Sequence, residues 1–278
     1  MPGVGYLFIL LAAALWALIG PVAKFAFAAG MAPLEVAFYR ALFGGSFFLF
    51  HALVVRRLFL PRVAWPAVLV FGVVGVAGFY GVYQLAVGYG GAALASVLLY
   101  TAPAWVALFG WLWLKEPLTR PKLLAVVLTV LGVGLLAMGG GEVRLDPRGL
   151  FFGLLSGLFY ALYYLFGKLY FERFAPEAIY AWALPLGALL LAPALRGVPP
   201  QGAWGPLFVI GFFSTYLAYA LYAAGLKRLE ATRASVVATL EPVLAATFAY
   251  LWWGERFSAS GYLGAGLILF AVYLVIRR

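Results

Sequence analysis

Apolar residues run along this chain in ten stretches of roughly 20, separated by short segments where Lys, Arg, Gly and Pro collect. A helix needs about 20 mainly apolar residues to cross a bilayer, so each stretch predicts one spanning helix. The predicted spans run from Val4 to Ala28, Pro33 to Val55, Ala64 to Gly88, Ala92 to Leu114 and Pro121 to Gly139. The second five run from Arg148 to Tyr170, Pro176 to Leu195, Ala203 to Leu226, Ala231 to Trp253 and Ser258 to Ile276. The fold class expected is an all-α membrane protein. The connecting segments are too short for an extramembrane domain.

Composition supports this reading. The 278 residues are 66% hydrophobic and 10% charged, with a mean hydropathy of +1.04, whereas a soluble domain carries roughly 25% charged residues. The net charge of +10 comes from basic residues placed between the apolar runs. That placement points to the membrane surface and not to nucleic acid. Cysteine is absent and His51 is the single histidine, so neither a disulfide framework nor a metal cluster is expected, and no cofactor is anticipated. No basic segment precedes the first apolar run, so a retained first helix is expected in place of a cleaved signal peptide.

Basic residues alternate in density between successive connections. Arg56, Arg57, Arg62, Lys115, Arg120, Lys122, Lys168, Arg173, Lys227, Arg228, Arg233, Arg277 and Arg278 fall on one side. Lys24, Arg144, Arg148, Arg196 and Arg256 fall on the other. The bias predicts both termini in the cytoplasm, in a multi-pass protein of the cell (inner) membrane. Trp65, Trp111 and Trp113 then lie near the inner interface and Trp204, Trp252 and Trp253 near the outer one.

The chain also repeats itself. At a shift of 139 residues Tyr80 meets Tyr219, Tyr83 meets Tyr222, Ser96-Val97 meets Ser235-Val236, Pro103 meets Pro242 and Glu116 meets Glu255. Two units, 1–140 and 141–278, each hold five spans. Five is odd, so the second unit must be inverted relative to the first. Inverted repeats of this kind are a recurrent plan of secondary transporters, with the substrate site near the midplane between the halves.

The stretches Ser96 to Thr119, SVLLYTAPAWVALFGWLWLKEPLT, and Ser235 to Ser258, SVVATLEPVLAATFAYLWWGERFS, resemble the EamA-type repeat of the drug/metabolite transporter superfamily. Trp16 and Lys24 in the first span and Arg40 in the second are similar to its pattern. The resemblance covers essentially the whole chain. It implies a ten-helix carrier working by alternating access around a cavity lined by helices 1, 3, 4, 6, 8 and 9, and small metabolites, often amino acids, commonly moved outward. Sugar, nucleotide-sugar and drug carriers of the same superfamily are the alternative. A Gly-Glu pair is usual where this chain has Lys115-Glu116; the second repeat keeps Gly254-Glu255.

Glu241 is the sharpest candidate residue. It lies about ten residues into the ninth span, roughly 15 Å deep at 1.5 Å per residue, where a carboxylate is costly and faces a cavity or a partner. It can hold a substrate ammonium group, carry a proton, or pair with Arg40. Tyr80, Tyr83 and Gln84, then Tyr160, Tyr163 and Tyr164, then Tyr216, Tyr219 and Tyr222 recur at spacings of three or four, which gathers such residues on helix faces. Phenolic rings carrying hydroxyls suit an amphiphilic substrate. Trp16, Tyr100 and Thr239 join this set as candidate lining. Pro103 and Pro242 each remove a backbone hydrogen bond near mid-membrane and are candidate hinges. Arg40, expected as a structural pair or outer gate, and Lys24 and Lys168, expected as gate charges or anchors, complete the candidates. Glycines every three residues at Gly72, Gly75, Gly78 and Gly81, and the pair Gly153 and Gly157, predict close helix packing.

The partners expected are a small-molecule substrate, membrane lipid and, with Glu241 as carrier, a proton; the oligomeric state is not readable. HExxH, GxSxG, cysteine-based and Walker A motifs are absent, which disfavours a membrane-embedded enzyme and an ATP-driven pump. A passive channel fits the paired central prolines less well than alternating access.

Overall fold

The computed structural model describes residues 2–138, 146–254 and 258–277. Arg144, Glu255, Arg256 and Arg278, used above for charge and repeat matching, lie outside the described residues.

Among the described residues ten helices are long and apolar enough to cross a membrane: α1 (Gly3–Ala28), α2 (Pro33–Val54), α3 (Arg62–Gly91), α4 (Leu94–Leu114), α5 (Arg120–Ala137), α6 (Pro147–Tyr170), α7 (Pro176–Ala194), α8 (Gln201–Leu226), α9 (Ala231–Trp252) and α10 (Ala259–Ile276). Each lies within a few residues of its predicted range. The reason is physical: without water, a spanning segment must satisfy its backbone internally, and hydropathy alone marks where that is required.

The way the ends meet defines the topology. The Tyr6 hydroxyl, at the start of α1, donates to the Val275 carbonyl at the end of α10 over 2.8 Å. The chain therefore begins and ends on one face. Arg148, at the start of α6, lies over the ring of Tyr89 near the end of α3, 4.4 Å from its centroid. Three crossings separate Tyr89 from the first face, so α6 starts on the opposite face to α1, and the second five-span repeat is inverted.

Packing carries the same symmetry. Spans α2 and α7, α5 and α10, and α4 and α9 pair across the repeats. The contact of α1 with α8 is mirrored by α6 with α3, that of α2 with α8 by α7 with α3, and that of α4 with α6 by α9 with α1. In a bilayer such contacts depend on close backbone approach. A Cβ added at Gly132 of α5 would lie 2.8 Å from the Gly264 carbonyl of α10. At the α3–α7 contact, a Cβ at Gly72 would come within 2.7 Å of Leu186. Gly153 and Gly157 likewise let α6 press on Leu98 and Thr101 of α4. Gly81, by contrast, faces open space, so the glycine stripe of α3 serves packing only at its first part.

The breaks within spans also recur. Span α4 is interrupted at Tyr100–Thr101 and resumes at Ala102, with Pro103 in its first turn. Span α9 is interrupted at Thr239–Leu240 and resumes at Glu241, followed by Pro242. Both prolines thus start a half-helix, where their missing N–H leaves no bond unmade. Spans α3 and α8 each widen into a π-helical stretch, Phe71–Gly78 and Phe212–Leu217. Span α1 breaks at Leu18, before Pro21, whereas its counterpart α6 is continuous. That asymmetry follows from a proline present in only one repeat.

Half-helices need caps. Glu116, just beyond α4, reaches across to the start of α9: its carboxylate accepts from the Ala231 amide at 2.6 Å, the Thr232 amide at 3.2 Å and the Thr232 hydroxyl at 2.9 Å. Nearby, Lys122 pairs with Glu230 at 2.6 Å, Arg233 pairs with the same Glu230 at 2.8 Å, and Arg233 also donates to the Tyr6 hydroxyl at 3.0 Å. The repeats are thus tied together on the face carrying both termini.

Candidate functional site

The repeats meet around a cluster of tyrosines. Tyr80 of α3 and Tyr219 of α8, equivalent under the 139-residue shift, share a hydrogen bond of 3.0 Å between their hydroxyls. The π-helical stretches immediately precede the helical segments that carry these residues. Around the pair, Tyr163 of α6 and Tyr180 of α7 join hydroxyls at 2.9 Å. The Tyr219 ring packs against Tyr163 at 5.5 Å, Tyr180 at 5.2 Å and Trp16 of α1 at 6.0 Å. These rings are nearly fully buried.

Arg40 enters this cluster from α2. Its Nε donates to the Thr215 hydroxyl at 3.0 Å and its Nη2 to the Tyr219 hydroxyl at 3.3 Å. Its guanidinium lies over the Tyr80 ring, 4.9 Å from the centroid, an arrangement that favours a cation. Arg40 has no carboxylate partner within 4.0 Å among the described residues, so the expected structural ion pair is not formed.

Glu241 sits in the first turn of the second half of α9, where the unpaired amides of a helix start favour negative charge. Its side chain interacts with the Tyr100 hydroxyl of α4 and lies within electrostatic range of Arg40 and of the hydroxyls of Tyr83, Tyr160 and Tyr164. Tyr164 donates to Tyr160 at 3.3 Å. Glu241, Tyr83, Gln84, Tyr160 and Arg40 are half-buried, unlike the tyrosines around Tyr219. The site therefore has two poles: a carboxylate among phenols and a guanidinium over a second phenol cluster.

Two polar atoms of the cluster stand without partners. The Trp16 Nε1 and the Tyr222 hydroxyl are buried and make no hydrogen bond to any described residue, and their rings lie 5.4 Å apart. Gln84 likewise has no protein partner among the described residues. Such groups are costly to leave unpaired and are suited to a bound polar molecule.

Several expected residues lie elsewhere. The Thr239 hydroxyl turns back onto the Val236 carbonyl, because a helix interruption leaves carbonyls to be satisfied. Lys168 is tied to the Leu226 carbonyl at 3.1 Å and to Glu172 at 3.4 Å, an anchor at the end of α6. Lys24 is exposed. Tyr216 leaves the face of Tyr219 and meets His51 at 3.3 Å, since the π-helical stretch alters the three-residue phase. Conversely, α2 and α7 contribute Arg40 and Tyr180, although the resemblance assigned the cavity to other helices. Tyr180 carried no sequence signal, being a lone tyrosine in an apolar span; Thr215, one residue before Tyr216, was equally silent.

Ten spans in two inverted repeats, with discontinuous helices and a polar cluster where the halves meet, define a multi-pass membrane transporter. The chain belongs to the EamA-like transporter family, whose model matches residues 3–138 and 147–277. It is 30% identical to the uncharacterized transporter YwfM of Bacillus subtilis, over 97% of this chain and 92% of that one. It is 28% identical to an uncharacterized transporter of Archaeoglobus fulgidus over 94% and 93% of the two chains. It is 26% identical to the uncharacterized inner membrane transporter YicL of Salmonella typhimurium over 98% and 94%. A solved crystal structure shares the fold with a TM-score of 0.85 at 19% identity, covering 97% of this chain and 95% of the other.

Proposed function

We propose that the protein is a secondary transporter for α-amino acids or closely related zwitterions, working by alternating access between its two repeats and, in the cell, exporting them. The observation that carries this reading is the pair of unpaired opposite charges. Among the described residues neither Glu241 nor Arg40 makes an ion pair within 4.0 Å. A substrate ammonium group at Glu241 and a carboxylate at Arg40 would satisfy both, and charge-assisted hydrogen bonds of this kind are the strong ones. The tyrosine rings between the poles suit an apolar or aromatic side chain. Sugar phosphates and nucleotide sugars call for several inward cations, and Arg40 is the one cation away from the span ends in the sequence.

In this reading Tyr80, Tyr83, Gln84, Tyr100, Tyr160, Tyr163, Tyr219, Tyr222 and Trp16 surround the substrate, and Pro103 and Pro242 are the flexing points of the paired half-helices. Glu241 is also the natural carrier of a coupled proton. The charge bias of the connecting segments supports a cytoplasmic location for both termini. The test is uptake and efflux of an amino-acid panel in proteoliposomes, with and without a pH gradient. Saturable movement of at least one α-amino acid is expected. Failure of every amino acid alongside transport of a sugar phosphate would overturn the substrate class.

A further inference from the structure

On the face carrying both termini, three arginines converge on a cleft of about 370 Å³ between the α2–α3 and α6–α7 connections, lined by Arg56, Arg57, Arg173, Phe59, Leu60 and Phe174 among others. Of the three, Arg57 has a protein partner, Glu177 at 3.4 Å. The side chains of Arg56 and Arg173 have none among the described residues. Burial lowers the pKa of Lys227 beyond the cleft, with Glu177 and Glu172 opposing and Arg57 and Arg228 contributing. The nearby Glu172 is already held by Lys168.

Arg56 is also conformationally unusual. It ends α2 in the left-handed region at φ 54°, the position that glycine normally fills at a helix C-terminus. Arg57 amide donates to the Ala52 carbonyl at 2.8 Å, closing the turn. An arginine held where glycine is easier motivates a functional reading.

The cleft lies at the membrane boundary. Trp182 and Trp65 pair edge to face at 5.2 Å, and the Trp182 Nε1 donates to the Leu58 carbonyl at 3.1 Å, the arrangement of an interfacial aromatic belt. Phe59, 92% exposed, and Val63, 74% exposed, project apolar surface beside the arginines. Cationic heads beside lipid-facing apolar residues match a molecule that is anionic at one end and apolar at the other.

We propose that this cleft binds the phosphodiester headgroup of an anionic phospholipid, with Arg56 and Arg173 on the phosphate and Phe59 against the acyl region. Basic pockets between helices at a membrane surface are built for such headgroups. The site is separate from the tyrosine cluster and does not rest on the transport reading.

The test is thermal unfolding and native mass spectrometry of the full chain in detergent, titrated with phosphatidylglycerol or with phosphatidylcholine. Wild type should retain phosphatidylglycerol and unfold at a higher temperature with it than with phosphatidylcholine. Arg173→Gln and Arg56→Gly should each weaken phosphatidylglycerol binding roughly fivefold, and together abolish its advantage. Arg56→Gly suits the left-handed backbone, so loss of folding would not confuse the result. Arg62→Gln, outside the cleft, should behave as wild type. Equal effects of the two lipids, or an undiminished phosphatidylglycerol effect in the double variant, would overturn the proposal. So would inorganic phosphate alone reproducing the stabilisation, since the ligand would then be the free anion.

Discussion

Glu241 on α9 and Arg40 on α2 form the two poles of the site without an ion pair between them, Glu241 at a helix start beside the Tyr100 hydroxyl and Arg40 on the hydroxyls of Thr215 and Tyr219 and over the Tyr80 ring. Removing either charge therefore leaves the fold largely supported while depriving a zwitterion of one contact. Glu241→Gln is expected to reduce amino-acid transport by about 10- to 100-fold, in line with losing a charge-assisted hydrogen bond of about 1.5–3 kcal/mol. Radiotracer uptake in proteoliposomes measures it. A second residue-scale prediction concerns Lys115, which ends α4 in the left-handed region at φ 58°, where its counterpart Gly254 ends α9 at φ 69°. A side chain there costs about 1 kcal/mol, so Lys115→Gly should raise the unfolding temperature measurably. Of the site residues, Glu241 was legible in the sequence because a carboxylate at mid-span is conspicuous against an apolar background. Tyr180 and Thr215 were not, because one polar side chain in an apolar run looks the same whether it faces a cavity, a neighbour or lipid. Thr239 misled for a related reason: a hydroxyl can satisfy its own backbone.

At the scale of elements, paired interruptions in α4 and α9 make each span two half-helices joined near mid-membrane. The sequence marked both through Pro103 and Pro242, although it did not show that the prolines begin a half-helix in place of kinking a continuous one. It was blind to the π-helical stretches, whose widened turns leave no compositional trace and which redirect Tyr216 toward His51. If the interruptions flex during transport, Pro103→Ala and Pro242→Ala should slow turnover about tenfold, a barrier change of about 1.4 kcal/mol, with substrate affinity little altered. Stopped-flow transport alongside equilibrium binding separates the two effects. The first half of α9 depends in addition on Glu116, the carboxylate that caps it. Glu116→Ala should destabilise the protein by about 2 kcal/mol, the upper range for a lost cap, read as a lower midpoint in thermal unfolding.

For the whole molecule, the main contacts among the ten spans map onto one another when each span is replaced by the one five places on. This symmetry was readable from the odd number of spans and the 139-residue repeat, because inversion follows from counting crossings. Which spans touch was not readable, since lipid-facing and protein-facing residues are equally apolar and membrane helices lack the amphipathic stripe that orients soluble ones. The glycines at contact points carry that information only once their neighbours are known. Gly132→Leu, at the α5–α10 contact, should cost roughly 3 kcal/mol by overpacking and reduce the yield of folded protein in size-exclusion chromatography. In the transport cycle proposed above, the two halves would expose the central site alternately to either face.

The most direct test of a two-pole zwitterion site compares the binding of a transported α-amino acid with its two single-charge analogues, the decarboxylated amine and the deaminated acid. In wild type the amino acid should bind at least about tenfold more tightly than either analogue, the weaker bound for a charged hydrogen bond. In Glu241→Gln its advantage over the deaminated acid should vanish, and in Arg40→Gln its advantage over the amine should vanish. Equal affinity of all three ligands in wild type, or the same ranking in both variants, would contradict the account.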